Sequence, residues 1–340
     1  MKNRFCKGAG FSAALALMIL ALSFLASLVF GTHTLSAGDF FTAITDAHST
    51  AHTIVFSLRL PRAILACISG AMLAASGGAF QMLFRNSLAE PGIMGISAGA
   101  TLGAVVAQIL GVSSILFGTI SPINIFAFAG ALLAGAVITF ISGRAGTVGG
   151  GVTLLLCGAA LGTFYSSVSS IIILTKSKEL HGIYTWILGS FNGRGWNEVR
   201  FLVIPAAVSL TLLFLSANKL DLMAGGEQTA KALGLETRQL RTVILAAAAL
   251  AVSVSVCAGG TINFAGLIAP HIVRRIYGTR GRTLIPLSCV YGMILLLLSD
   301  TIARTALSPA ELPAGLVTSL LGAPFFLSLI FSGRSRGVSQ

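Results

Sequence analysis

Asn218 to Arg241 reads NKLDLMAGGEQTAKALGLETRQLR, with long apolar runs on both sides of it. It is too polar to sit in lipid and too patterned for a structureless loop. Thr229-Ala-Lys-Ala-Leu-Gly234 predicts a short helix stopped by a glycine, whose missing Cβ permits the left-handed conformation beyond a helix end. Leu235 to Arg241 predicts a second short helix, with Glu236 in its first turn and Arg238 and Arg241 about one turn apart. Two short helices set at an angle against a membrane face form a knob, and a knob presents a docking surface.

The flanks decide the class. Hydrophobic residues make up 55% of the 340 and charged residues only 9%, against about a quarter charged in a soluble domain. The chain is therefore read as all-α and integral to a membrane, one polytopic domain over residues 1–340. The net charge of +12 does not point to nucleic acid, because the basic residues sit at the ends of apolar runs and form no stripe. Cys67, Cys157, Cys257 and Cys289 lie inside apolar runs and no Cys-x-x-Cys occurs, so neither a disulfide framework nor a metal cage is expected.

A spanning helix needs about 20 apolar residues. Residues 1–10 carry Lys2, Arg4 and Lys7 and predict a cytoplasmic N-terminus. Phe11–Phe30 predicts the first span: the run exceeds a signal-peptide core of about 7–15 residues, and no small-x-small site closes it. Further spans are predicted at 60–82, 93–111, 122–142, 151–174, 199–217, 242–258, 267–277, 284–302 and 313–331, about ten in all. They form a bundle over 11–331. Residues 267–277 are too few to cross alone and predict a broken or re-entrant segment. Threading these spans puts 218–241 and 332–340 in the cytoplasm and leaves Arg59, Arg62, Lys176, Lys178, Arg194, Arg200 and Arg304 outside, in keeping with the positive-inside bias. Arg59, Arg62 and Pro91 recur as Arg238, Arg241 and Pro270 at a constant offset of 179. The two copies have opposite predicted topology, the pattern of an inverted repeat.

Arg59-Leu-Pro-Arg62 opens the second span, where a helix dipole disfavours two cations. Lipid headgroups would compensate them, or an acidic partner docking outside through bidentate pairs. Pro91 and Gly92 break the chain before a glycine-rich helix. Pro270-His271 reads as a helix start, and Asp46, His48 and His52 as a solvated loop in preference to a metal site. Asp300 is the clear acid in a spanning run, four residues from Arg304, so an ion-coupled pathway has little to work with. The chain has no phosphate-binding loop and no motif of an intramembrane hydrolase. No catalytic residue, metal or cofactor is expected, and ATP hydrolysis falls to another chain.

Taken in order, Leu58-Arg-Leu-Pro-Arg62, Arg85-Asn86, Leu88-Ala89-x-Pro91, Gly95-x-Ser97-x-Gly99, Ala230-x-x-Leu233-Gly234, Gly266-Leu-Ile-x-Pro270-His271-x-x-Arg274, Asp300-x-x-Ala303-Arg304, Glu311-Leu-Pro313-x-Gly315 and Gly322-Ala-Pro324 resemble the iron-siderophore, haem and vitamin B12 permease family of binding-protein-dependent ABC importers. The resemblance implies a type II importer permease fold of about ten helices with an inverted-repeat element, in the bacterial cytoplasmic membrane. Its implied partners are a second permease copy, two cytoplasmic ATP-binding subunits and an extracytoplasmic solute-binding protein, with no nucleic acid. It implies ATPase coupling through Met223, Ala230, Leu233, Gly234, Leu235 and Arg238, and binding-protein docking at Arg59, Arg62 and Arg304. Asn86, Pro91, Gly95, Gly99, Pro270, His271, Pro313, Gly315 and Pro324 would be structural. Ser87 departs from the family's usual proline and leaves that turn less rigid. The implied cargo is a ferric-siderophore-type chelate, with vitamin B12 or haem as alternatives. An ion-coupled secondary transporter, a rival of another class, is favoured only by the repeat and the broken helices.

Overall fold

The computed structural model describes residues 2–111, 120–144, 150–175, 184 and 186–334. Among them every regular element is helical. The elements are α1 (Lys2–Val29), α2 (Ala37–Thr45), α3 (Thr50–His52), a π-helical turn (Thr53–Arg59), α4 (Leu60–Leu83), a 3-10 turn (Pro91–Met94), α5 (Ile96–Ile109), α6 (Pro122–Arg144), α7 (Gly150–Thr175), α8 (Trp196–Ala224), α9 (Glu227–Ala232), α10 (Thr237–Gly259), α11 (Ala265–Tyr277), α12 (Gly281–Thr305) and α13 (Ala314–Arg334).

Ten of these helices match the predicted spans in place. Seven stretches among the described residues are long and apolar enough to cross a bilayer, formed by α1, the Thr50–Leu83 run, α6, α7, α8, α10 and α12. α5 and the apolar part of α13 are shorter. α11, with 13 residues, is the half-length segment expected near 267–277. It follows an irregular stretch in which Phe264 takes a left-handed conformation, φ +66°. Lys176, Lys178 and residues 335–340 lie outside the described residues.

α4 and α10 form the centre. Both are apolar on every face, as a helix surrounded by protein must be, and most of each is buried. α4 packs against α12, α10, α8, α11 and α1. Its small residues set the spacing. A Cβ on Gly70 would lie 2.2 Å from the Gly292 carbonyl of α12, and one on Gly292 would lie 2.2 Å from the Gly70 carbonyl. Nothing larger than glycine fits at that crossing, which is how helices without a hydrophobic drive between them gain close packing. Gly77 meets the Gly266 backbone of α11 in the same way. The glycine pattern read from the sequence thus serves backbone contact.

Two boundaries differ from expectation. The second span starts at Thr50 and not near residue 60, because the helix continues through the π turn. Pro61 has no N–H to give the preceding turn, and the Leu60 N–H reaches back five residues to Val55, the bonding that defines a π bulge. The knob also has one short helix where two were expected. Asn218–Ala224 completes α8, and Leu235–Arg241 leads straight into α10. In the loop of α2 and α3, His52 Nδ1 lies 2.8 Å from the Ala43 carbonyl and the ring stacks on Phe56. No metal-binding group of three His, Cys, Asp or Glu occurs among the described residues.

Gly70→Val and Gly292→Val should each destabilise the detergent-purified protein by about 1–3 kcal/mol or more, the usual cost of overpacking. Gly10→Val, where a Cβ meets open space, should leave the thermal midpoint unchanged. Equal midpoints in all three would refute the packing role.

Candidate docking and coupling sites

At one end of the bundle, four arginines meet three carboxylates. The Thr50–Leu83 run has 34 residues, about 50 Å at 1.5 Å per residue, well beyond the ~30 Å hydrocarbon core. Arg62 lies 21 positions from Leu83, about 30 Å along the helix, a full hydrocarbon thickness from that end of α4. Its Nε donates to both Asp300 oxygens at 3.1 Å, Nη2 to Asp300 Oδ1 at 2.8 Å and Nη1 to Glu311 Oε2 at 2.8 Å. The fork thus ties α4 to α12 and to the loop before α13. Arg304 Nε pairs with Asp300 Oδ2 at 3.1 Å, and its Nη2 donates to the Ser27 carbonyl at 2.9 Å. Among the described residues Arg59 has no carboxylate partner. It donates to the carbonyls of Leu28, Val29 and His33, so Arg59 and Arg304 together satisfy the carbonyls that the end of α1 leaves open.

Arg59, Arg62 and Arg304 are therefore 7%, 8% and 4% exposed, not rim charges open to solvent. The compensation that the sequence reading assigned to an acidic partner comes from Asp300 and Glu311 of the same chain. The fourth arginine, Arg194, was placed outside by the topology but given no role. It lies between two cavities of about 540 and 460 Å³ at this end, lined in part by Arg59, Glu198 and Glu311. Of the implied structural residues here, Pro313 lines the smaller cavity, and the Gly315 N–H donates to the Gly189 carbonyl at 3.0 Å, where a Cβ would strike the Leu188 carbonyl.

The opposite end holds the knob. α9 ends in a Schellman motif: the Leu235 N–H returns to the Ala230 carbonyl and the Gly234 N–H to the Lys231 carbonyl, with Gly234 at φ +82°. Glu227 pairs with Lys231 at 3.0 Å and with Arg241 of α10 at 3.1 Å. Burial pushes the Glu227 carboxyl up, but the Lys231 hydrogen bond and the Arg241 and Lys231 charges outweigh it, so it stays below the ordinary carboxylate value. Met223 and Ala230 are buried in the seat of the knob, while Leu233 is 64% exposed at its tip. Gly234 and Arg238 share that open surface and Leu235 is half-buried. At the same end the Asp221 carboxylate accepts from the Gly281 N–H at 2.6 Å, and Arg282 donates to Asn218, joining α8 to the start of α12.

The two sequence motifs that flank the bundle centre meet beside the knob. The Arg85 guanidinium lies next to Gly226 at the start of α9. Asn86 folds the loop by accepting from the Leu88 N–H at 2.9 Å. Glu90 accepts from the backbone N–H groups of Phe264 and Gly266, the free donors at the start of α11. Pro91 opens the 3-10 turn, Gly95 caps α5 at φ +77°, and Gly99 packs on α6 at Ala134 and Gly130. In α11, Pro270 packs on Gly78, His271 stacks edge-on to Phe325, and Arg274 donates to Gln81 at 3.0 Å. Pro324 lies inside α13. The Phe264 ring occupies the space a Cβ on Gly322 would need. The roles of Glu90 and Phe264 were not read from the sequence; an acid seven residues after the end of α4 and a lone aromatic before a broken helix were the available signals. Thr163, Ser166 and Ser170 are exposed on one face of α7. They escaped notice too, although their i, i+3, i+7 spacing in an apolar run marks a polar face.

Comparison with known proteins places this arrangement. Residues 19–332 match the model of the FecCD transport family. The chain belongs to that family. It is 37% identical over 319 residues to the vitamin B12 import system permease BtuC of Escherichia coli, covering 94% of this chain and 93% of that one. It is 36% identical over 285 residues to the Fe(3+)-citrate import system permease YfmD of Bacillus subtilis, covering 83% and 82%. A metal-chelate type ABC transporter solved in an inward-facing conformation superposes with TM-score 0.82 at 28% identity, covering 93% and 97% of the two chains. The fold is thus that of a type II ABC importer permease, and the chain is a multi-pass membrane transport component, not an enzyme.

Two outcomes test the geometry. Arg62→Met removes the cation shared by buried Asp300 and half-buried Glu311 and leaves Asp300 with Arg304 alone, so it should cost up to about 3 kcal/mol of stability, the lower end for breaking a buried pair; Arg59→Gln, which removes only carbonyl contacts, should cost clearly less. Thermal unfolding in detergent checks the order. For α9, the Glu227 carboxylate is held below its ordinary value of 4.5, so its clamp is complete above about pH 4.5 and is lost as pH falls below that. A spin label at Ala232→Cys should be immobile at pH 7 and gain mobility progressively as pH falls below 4.5, and be mobile throughout when Glu227→Gln is added. An immobile label in the double variant at pH 7 would show that the ion pairs do not hold the knob.

Proposed function

We propose that the chain is the permease subunit of an ATP-driven importer that moves a ferric-siderophore-type chelate across the bacterial cytoplasmic membrane. Two copies form the path, two ATP-binding subunits seat on α9 from the cytoplasm, and an external solute-binding protein delivers cargo at the arginine end. The N- and C-termini then lie in the cytoplasm, and α9 with its neighbours Lys219, Lys231, Arg238, Arg241 and Arg282 faces inward, as the basic bias requires. The observation that carries the reading is α9 itself: a six-residue helix, clamped by Glu227, holding apolar Leu233 out at a polar end. An exposed leucine there fits an apolar groove on a partner. The Thr163–Ser166–Ser170 face of α7 supports a path between copies, since hydroxyls in a span face protein or water more cheaply than lipid.

Closure of the ATPase pair would push on α9. Arg85 beside Gly226 passes the push to the 85–95 loop, and Glu90 passes it to the start of α11. A second cargo has a specific finding behind it, since the 37% identity to a vitamin B12 permease is no lower than the 36% to the iron-citrate permease YfmD. Uptake of iron(III) citrate against vitamin B12 in proteoliposomes decides between them. The ion-coupled rival is disfavoured because both Asp300 oxygens are committed to arginines.

Leu233→Asp should insert normally yet abolish ATP-dependent uptake and ATPase stimulation by at least tenfold. Normal stimulation would remove α9 from the coupling role. At the other end, Arg59 is the arginine of the docking set without a carboxylate. Arg59 lines the 540 Å³ cavity and its charge adds to the field at that mouth, so Arg59→Gln should weaken binding-protein association several-fold at low salt and flatten its salt dependence, because such a field acts mainly on association and is screened by salt. An unchanged salt slope would restrict Arg59 to capping α1.

A further inference from the structure

The arginine end carries more positive charge than its own acids balance. Arg62 and Arg304 are matched by Asp300 and Glu311. That leaves Arg59 and Arg194 facing Glu198, whose Oε2 is occupied by the Gly195 N–H at 2.9 Å. Arg59 spends its guanidinium on carbonyls. Arg194 has no hydrogen-bond or ion-pair partner among the described residues, and its Nε is buried with none. Burial pushes its pKa down, against the pull of Glu198.

A second donor faces the same space. Asn124 is fully buried and lines the 460 Å³ cavity with Arg194. The Trp186 indole N–H, which can only donate, points at Asn124 Oδ1 at 3.4 Å. The Asn124 amide must therefore turn its Nδ2 away from the indole, and that Nδ2 has no partner. Two buried donors without acceptors, one of them cationic, sit at a cavity of small-ligand size at an end with one net positive charge. Ser121, Ser190 and Asn192 add further donors to its wall.

We propose that Arg194 and Asn124 form an anion subsite that takes a carboxylate of the transported chelate. A carboxylate accepts the planar guanidinium fork and an amide N–H at once. It neutralises the surplus charge and satisfies both orphan donors. The assignment rests on the chelate-permease reading for the ligand's identity, and it narrows the cargo to chelates that display a free carboxylate.

Citrate binding to the purified permease in detergent tests it without transport. With Trp196→Phe, Trp186 is the sole tryptophan and reports from the cavity wall. Citrate should change its fluorescence saturably and raise the thermal midpoint. Arg194→Gln should weaken citrate at least tenfold, and Arg194→Lys less. Arg194→Gln without ligand should keep or raise the midpoint, because it removes an unpartnered cation; a structural arginine would lower it. Asn192→Asp, at an exposed position between the two cavities, supplies a second variant and should also weaken citrate. A neutral iron(III) trihydroxamate should not compete. No saturable response in the parent, or unchanged citrate affinity in Arg194→Gln, overturns the proposal. So does a flat citrate titration combined with weakened binding-protein association in Arg194→Gln, which assigns the site to an acidic side chain of that partner. Citrate binding that holds while ATP-driven uptake fails would leave the subsite standing and remove the transport reading.

Discussion

Arg62 sets the frame. One guanidinium holds Asp300 on α12 and Glu311 on the segment before α13, and it does so where α4 leaves the hydrocarbon. In a soluble protein a buried ion pair seldom outweighs its desolvation. At a bilayer edge the comparison differs, because the alternative for these groups is not an apolar packing but a separated charge near lipid. The pair fixes the axial register of α4 against α12. Once that register is set, Gly70 meets Gly292, and the two backbones can touch. A shift of one residue would put larger side chains at the crossing.

The rest of the core follows from α4. Its length is filled with alanine, glycine and serine, so α10, α11 and α12 all approach it closely. The peripheral helices α1 and α7 keep large apolar residues outward. α1 is held by its end: Arg59 and Arg304 take up its last carbonyls. The same arginines that invite a docking interpretation therefore also anchor the first helix, and charge at this end is partly structural and partly surplus.

Much of this was legible in the sequence because the bilayer imposes simple rules. Span positions, the half-length helix near Pro270 and the glycine stop at Gly234 all followed from apolar run length and backbone chemistry. What failed depended on contacts across long sequence separations. Nothing local in Arg59-Leu-Pro-Arg62 reveals that Asp300 and Glu311 lie beside Arg62, and so the compensating charge was sought in another protein. The extension of the second span to Thr50 required noticing that a proline inside a helix can be absorbed by a π turn. Arg194 and Asn124 carry no motif; only their shared cavity and missing partners bring them together.

The two ends of the bundle are built to different stiffness, and this bears on how force would pass through it. At the arginine end the ion pairs are buried and share carboxylates, so the helix ends there move together or not at all. At the knob end the pairs of Glu227 are partly exposed and screened by salt, and α9 is joined to its neighbours by glycines at 225, 226 and 234. Displacement applied at α9 is therefore resisted locally only by those partly exposed pairs. It meets a stiff element only where Glu90 grips the start of α11 and Phe264 fills the space beside Gly322 on α13. Phe264 is held at φ +66°, a conformation costly for a bulky residue. The start of α11 is thus a strained joint between the knob and the pinned arginine end.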